Sequence, residues 1–204
     1  VEINSSFYRP HRPATYERWA ASVPSGFRFS AKLPREITHT RRLVDTAEPL
    51  DRFLGEVRAL GAALGPLLVQ LPPSLRYDHA AAVRFFGDFR ERFGGQLACE
   101  PRHETWFSEA AEALLSKYHV ARVAADPAVV PQAAQPGGWS GLLYIRLHGS
   151  PKVYYSAYSP EEVEATAGRL RAASAEAEDC WCIFDNTALG EATGQALDLL
   201  RQLG

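Results

Sequence analysis

Residues 141–162, GLLYIRLHGSPKVYYSAYSPEE, decide how the chain folds on paper. The first nine form an apolar run bounded by glycine, the pattern of a buried strand. Arg146 and His148 interrupt it two residues apart, so both fall on one face of that strand. Gly149 and Pro151 then break the chain, and Tyr154, Tyr155 and Tyr158 crowd the segment that follows. Ser159-Pro160-Glu161-Glu162 opens a helix with a capping serine, a proline at the first helical position and a capping-box glutamate. Strand, loop and helix follow one another as a βα unit.

The same alternation recurs along the chain. Apolar runs bounded by turn residues stand at 1–4 (VEIN), 27–33 (FRFSAKL), 65–71 (GPLLVQL), 97–102 (LACEPR), 120–126 (VARVAAD), 141–149 and 179–186 (DCWCIFDN). Segments of helical period lie between most of them, at 48–64, 78–93, 107–118, 159–177 and 187–203, with Asp78 a candidate N-cap. Residues 131–138 (PQAAQPGG) look like a loop. Strands alternating with helices imply a parallel sheet. The expectation is an α/β, TIM-barrel-like (β/α)8 fold, one domain over residues 1–204, with seven parallel strands in hand. Such barrels typically need about 250 residues. The chain has 204 and no methionine, even at position 1. That shortfall places the first strand and helix ahead of Val1.

Composition narrows the class. A net charge of -2 with 46% hydrophobic residues supplies one sizeable core. No apolar run reaches 18 residues, so no membrane partner is expected. Cys99, Cys180 and Cys182 are odd in number and sit inside apolar runs, which suits reduced core thiols and a cytoplasmic setting. A Cys-x-Cys metal or redox pair at 180 and 182 has no second pair or nearby histidine to support it. No GxGxxG, Walker A or GxSxG sequence occurs, and Ser5, Ser6 and Ser150 lack triad spacing.

Polar residues gather at the carboxyl ends of the apolar runs, where parallel barrels bind ligands. Glu2 and Asn4 share a face of the first run; Ser30 and Lys32 close the second; Gln70 nearly ends the third. Glu100 and Arg102 share a face of the fourth, with His103 beyond. Asp126, Arg146 with His148, and Asp185 with Asn186 end the last three. Buried charge persists when paired or ligand-facing, so a ligand site and an internal salt-bridge network both fit. The loops 7–13, 30–42 and 144–158 carry Arg9, Arg12, Lys32, Arg35, Arg41, Arg42, Arg146 and Lys152 against the single acid Glu36. Phe7, Tyr8, Tyr154, Tyr155 and Tyr158 interleave with them. Cations beside exposed aromatic rings suit a phosphorylated ligand, either an anionic small molecule or nucleic-acid phosphate.

The segments VEINSSFYR (1–9), FRFSAKLPREITH (27–39), LGPLLVQLPPS (64–74), CEPRHETWF (99–107), ARVAAD (121–126), YIRLHGSPKVYYSAYS (144–159) and WCIFDNTALG (181–190) resemble the YecE-like family. That family is a bacterial and archaeal group classed as a domain of unknown function. The resemblance runs through nearly the whole chain in order and implies a TIM-barrel-like fold. Family members usually open with a glycine-rich strand and helix ahead of the VEIN-like segment. The positions that match the family's motifs are Glu2, Asn4, Lys32, Glu100, Arg102, His103, Asp126, Arg146, His148, Asp185 and Asn186. No reaction comes with the family.

Three functions compete. The first is an enzyme on a phosphodiester or sugar phosphate, a hydrolase or isomerase. In it Glu100, Asp126, His148 and Asp185 are catalytic, while Glu2, Asn4, Lys32, Arg102, His103, Arg146, Tyr154, Tyr155 and Asn186 bind ligand. A divalent metal held by His103, His148 and carboxylates belongs to this version, though no HxH, HxxxH or HExxH spacing occurs. The second is a metal-free glycoside-directed enzyme using Glu100 with Asp126 or Asp185. The third is a non-catalytic module for nucleic acid or a phosphorylated metabolite, marked by salt-sensitive binding.

Overall fold

Four parallel strands begin the six-stranded first sheet of the computed structural model, which describes residues 1–204. They are β1 (Glu2–Ile3), β2 (Phe29–Lys32), β3 (Leu64–Gln70) and β4 (Leu97–Glu100), and each pairs with the next in chain order. With helices α1 (Ser5–Tyr8), α2 (Pro13–Ala21), α3 (Ala47–Val57), α4 (His79–Arg92) and α5 (Glu109–Lys117) they belong to a unit covering Val1–Val120. A second unit covers Ala121–Gly204. Both are mixed α/β with parallel pairing, and no helix is long and apolar enough to cross a membrane.

The period of two along each strand sorts the first sheet into two faces. Ile3, Ala31, Leu33, Leu67, Val69, Leu97 and Cys99 enter an apolar core with Phe53 of α3 and with Phe85, Phe86 and Phe89 of α4. Each such aromatic contributes roughly 1.5–3 kcal/mol by leaving water. Register places Glu2 beside Ser30, Lys32 beside Leu68 and Gln70 beside Glu100. Because Ser30 and Lys32, like Leu68 and Gln70, are two apart, Glu2, Ser30, Lys32, Gln70 and Glu100 occupy the face opposite that core.

Local chemistry departs from expectation at several points. The first strand stops at Ile3, and Asn4 takes right-handed helical angles (φ -89, ψ -19) as the residue before α1. Asn4 is therefore not a face-mate of Glu2 on a strand. The segment expected as one helix over 48–64 ends at Val57 and tightens into a 3-10 turn over Arg58–Ala63. Gly61, at φ 55, takes a positive-φ conformation that glycine tolerates and kinks this turn. Helix α2 falls where no element was assigned, and a five-residue π-helix over Glu36–Thr40 falls within the segment 30–42 expected as loop. Pro13 supplies the preset φ that starts α2.

In the second unit the expected strand 120–126 is broken at Val123 into β5 (Val120–Arg122) and β6 (Ala124–Asp126). Residues Pro131–Ala134 form a 3-10 turn rather than loop, and β7 (Gly137–Gly138) runs antiparallel to β5. The seven parallel strands expected thus become nine strands, one of them antiparallel. The buried Arg122 donates through Nη1 to the carbonyls of Gln132 and Gln135, both at 3.1 Å, and so fastens this segment.

Strands β6, β8 (Leu142–Leu147) and β9 (Asp179–Phe184) make a parallel three-stranded sheet beside α6 (Pro160–Ala173) and α7 (Glu191–Leu203). Ala124, Leu143, Ile145, Leu147 and Phe184 pack with Val163, Leu170 and Leu199 of those helices. Tyr144, Arg146 and His148 alternate with them and share the opposite face with Trp181, Ile183 and Asp185. Tyr144 and Trp181 mark that face with stacked rings, 6.2 Å apart and 3° from parallel.

Candidate functional site

Cations collect at the carboxyl end of the first sheet. Lys32 closes β2, is 8% exposed and sets its ammonium 4.2 Å from the Phe7 ring centroid. Ser6 of α1 donates to the carbonyls of Ile3 (3.0 Å) and Lys32 (2.6 Å), which ties α1 to the ends of β1 and β2. Glu100, 2% exposed, closes β4. Its Oε1 accepts from Arg102 Nε and Nη2, each at 3.0 Å, and its Oε2 accepts from Gln70 Nε2 at 3.0 Å. Charge-assisted bonds of this kind are short and strong. Glu100 therefore holds Arg102 in one orientation at the edge of the buried face.

His39, on the π-helix, was not singled out from the sequence. Its Nδ1 lies 2.9 Å from Thr38 Oγ1, and its ring meets Phe7 edge to face at 4.9 Å. Burial first, and then the positive charges of Lys32, Arg35, Arg102 and Arg42, lower its pKa to about 4. Burial is the larger cause, and the four cations add to it, so the ring stands in a positive setting. The single signal in the sequence was its place in REITHTRR, among arginines.

Other cations of the same loops are engaged elsewhere. Arg41 binds Glu36 at 2.9 Å, and Arg52 binds the same carboxylate at 2.5 Å. His103 caps the 3-10 turn Glu104–Phe107: its Nδ1 accepts from the backbone N–H of Thr105 at 3.2 Å. Glu2 lies on the polar face beside Ser30. Asn4 is half-buried, and its Oδ1 has no hydrogen-bond partner.

The second unit carries its own charged array. Asp185 Oδ2 accepts from Arg146 Nη2 at 3.1 Å and lies 3.0 Å from His148 Nδ1. Arg146 Nη1 approaches His148 Nε2 at 3.4 Å. A guanidinium only donates, so Nε2 is the accepting nitrogen and Nδ1 carries the proton given to Asp185. Arg146 is fully buried and His148 nearly so. Tyr154 stands edge-on to the His148 ring at 6.1 Å and is 44% exposed; Tyr155, also exposed, lies under Lys152 Nζ at 4.0 Å.

Three residues expected with this array lie on the other face. Asp126 pairs in register with Leu147, so it points to the helix side, where its Oδ2 accepts from Tyr158 OH at 2.7 Å. Tyr158, expected at an exposed lip, is 8% exposed and its hydroxyl also accepts from Gly149 N–H at 2.8 Å. Burial and the Asp126 hydrogen bond push its phenol pKa well up. Asn186 is fully buried and donates to Ser156 O (2.9 Å) and to Gln195 Oε1 of α7 (2.7 Å). Gly149, at φ +91, leaves no room for a side chain: a Cβ would meet Ser156 O at 2.9 Å. Asp126, Tyr158, Asn186 and Gln195 thus fasten the loop 149–158 beneath Tyr154.

No group of three or more His, Cys, Asp or Glu side chains suited to a metal ion is found. Parallel βα units with ionisable side chains at the strands' carboxyl ends, in each unit by itself, define an α/β protein. The chain belongs to the family described as "Protein of unknown function DUF72", which matches residues 1–204 and is the same family as the YecE-like group. Its fold is similar to that of a DUF72 family protein of Enterococcus faecalis V583 (TM-score 0.83, 20% identity, 100% of this chain and 84% of that one). It is equally similar to a DUF72 family protein of Thermotoga maritima MSB8 (TM-score 0.82, 23% identity, 100% and 84%). At such identities the likeness establishes the fold alone. No curated protein matches the chain.

Proposed function

We propose that this protein is an enzyme that takes a phosphorylated ligand, a sugar phosphate or phosphodiester, at the carboxyl end of its first sheet. The observation that carries this reading is the pair of cations fixed at the strand ends, Lys32 at 4.2 Å from the Phe7 ring and Arg102 held by Glu100 at 3.0 Å. Lys32 and the Glu100-oriented Arg102 are the anion's ligands, and neutral His39 can donate a further hydrogen bond. In the second unit, taken by itself, His148 with Asp185 is a pair with the geometry for moving a proton. A (β/α)8-type barrel is the fold we propose for these βα units. Parallel pairing in both sheets and polar residues at their strand ends support it. The free thiols of Cys99, Cys180 and Cys182 fit a cytoplasmic setting.

Calorimetric titration with ribose 5-phosphate and with a short DNA oligonucleotide tests the reading and separates its two ligand classes. Lys32→Ala should weaken binding about tenfold, the worth of roughly 1.4 kcal/mol, and binding should fall as salt rises. Glu100→Gln should abolish turnover in an enzyme. In a binding module the same change acts on affinity alone, through the Arg102 that Glu100 holds. Unchanged affinity in Lys32→Ala for every phosphate ligand would remove the site.

A further inference from the structure

We propose a second binding site, for a small amphipathic anion, in the cleft between the turn at residues 41–44 and the start of α4. The cleft has a volume of about 300 Å³, and Arg41, Arg42 and Arg76 stand over a floor that includes Leu43, Leu75 and Trp106. The ligand class follows from that division: a carboxylate or phosphate for the arginines and an apolar body for the floor.

The charge in the cleft is unbalanced. Arg41 is neutralised by Glu36 at 2.9 Å, with Glu48 at 3.5 Å. Arg42 is held by neutral groups, donating from Nη1 to Ser74 Oγ (3.1 Å) and from Nη2 to Ser74 O (2.7 Å). Its direction is fixed while its charge stays unspent. Arg76 is exposed on the far wall. The one acid lining the cleft, Asp78, is the N-cap of α4 and accepts from Ala81 N–H at 2.9 Å. The floor is equally fixed. Trp106 is 1% exposed, donates its indole N–H to Leu75 O at 3.0 Å and meets Tyr77 edge to face at 5.0 Å.

The backbone supplies an independent indication. Arg42, Leu43 and Asp45 take left-handed φ values of 51, 68 and 51, which non-glycine residues seldom adopt. The turn swings Leu43 into the core and leaves Arg42 and Val44 outside. It directly follows the π-helix Glu36–Thr40. Strained turns and π-helical segments concentrate where proteins hold ligands.

1-Naphthyl phosphate is the probe, followed through the indole N–H resonance of Trp106 by ¹H–¹⁵N NMR. It should shift that resonance saturably, whereas inorganic phosphate alone and neutral 1-methoxynaphthalene should each bind at least tenfold more weakly. Arg76→Glu should weaken the probe at least tenfold. Arg84→Glu, an equal charge change on the exposed side of α4, should not. Lys32→Ala should leave the Trp106 response in place, which separates this cleft from the strand-end site. An unmoved Trp106 resonance overturns the proposal. So does an equal loss in Arg84→Glu, full affinity for the neutral analogue, or loss of the response in Lys32→Ala. Unchanged resonances of the other three tryptophans show that each variant is folded.

Discussion

His39 shows how one residue reports the charge around it. An ordinary imidazole protonates near 6.5, as it does in the unfolded chain, whereas here burial and the nearby cations delay protonation to about pH 4. Between those two values the unfolded chain binds a proton that the folded chain refuses, so stability must fall as pH drops from about 6.5 towards 4. Above that window His39 contributes no pH dependence. His39→Gln should flatten this part of the stability–pH curve in urea denaturation while leaving the curve above pH 7 parallel to wild type. An unchanged slope between pH 6.5 and 4 would mean that the imidazole is not held neutral. The charges at the strand ends were legible in the sequence, because a period of two fixes which residues share a face. Their convergence on His39 was not, since it depends on how α1, the π-helix and β4 are brought together. Asp126 was misplaced for a smaller reason. The break at Val123 starts β6 afresh with Ala124 beside Ile145, and that register turns Asp126 to the helix side.

At the scale of elements, what local chemistry specifies was readable, and what needs tertiary contacts was not. Ser159 caps α6 as its sequence implied: its Oγ accepts from Glu162 N–H at 3.3 Å, and Glu162 Oε2 accepts from Ser159 N–H at 2.7 Å. Removing such a cap costs about 1 kcal/mol. Ser159→Ala should lower the denaturation midpoint accordingly and speed amide exchange in the first turn of α6, leaving the helix beyond Val163 little changed. No loss of protection in that turn would show the cap to be idle. By contrast, α1 and the π-helix carry no comparable signature. They are held by Ser6 reaching the Ile3 and Lys32 carbonyls, and by the burial of Ile37 and Thr38. The loop 149–158 is intermediate. Gly149 and Pro151 announced a turn, but the fastening of that turn by Tyr158 and Asn186 relies on Asp126 and Gln195, remote in sequence.

Across the whole molecule, the two units differ in how much apolar surface supports their sheets. The core of the first contains 28 buried hydrophobic residues and that of the second 11. Burial is the main favourable term in folding, so the sheet with the larger core resists local opening better. Leu67, Leu68 and Val69 on β3 are wholly buried, and β3 is paired on both sides with β2 and β4. Residues Asp179–Ile183 of β9 are half-buried. Native-state hydrogen exchange should therefore release the amides of β9 first, with protection at least tenfold below that of Leu67–Val69. The buried Arg146–Asp185 pair does not reverse this order. Withdrawing both charges from water offsets most of their attraction, so the pair adds little to the resistance of the strands that carry it. Arg146→Met with Asp185→Leu, which keeps comparable bulk, should accordingly leave β8 and β9 protection near the wild-type level. Removing Asp185 alone takes one carboxylate from a fully buried guanidinium and should lower protection throughout that sheet. Equal protection of β3 and β9 in the unmodified protein would contradict the assignment of stability to these cores.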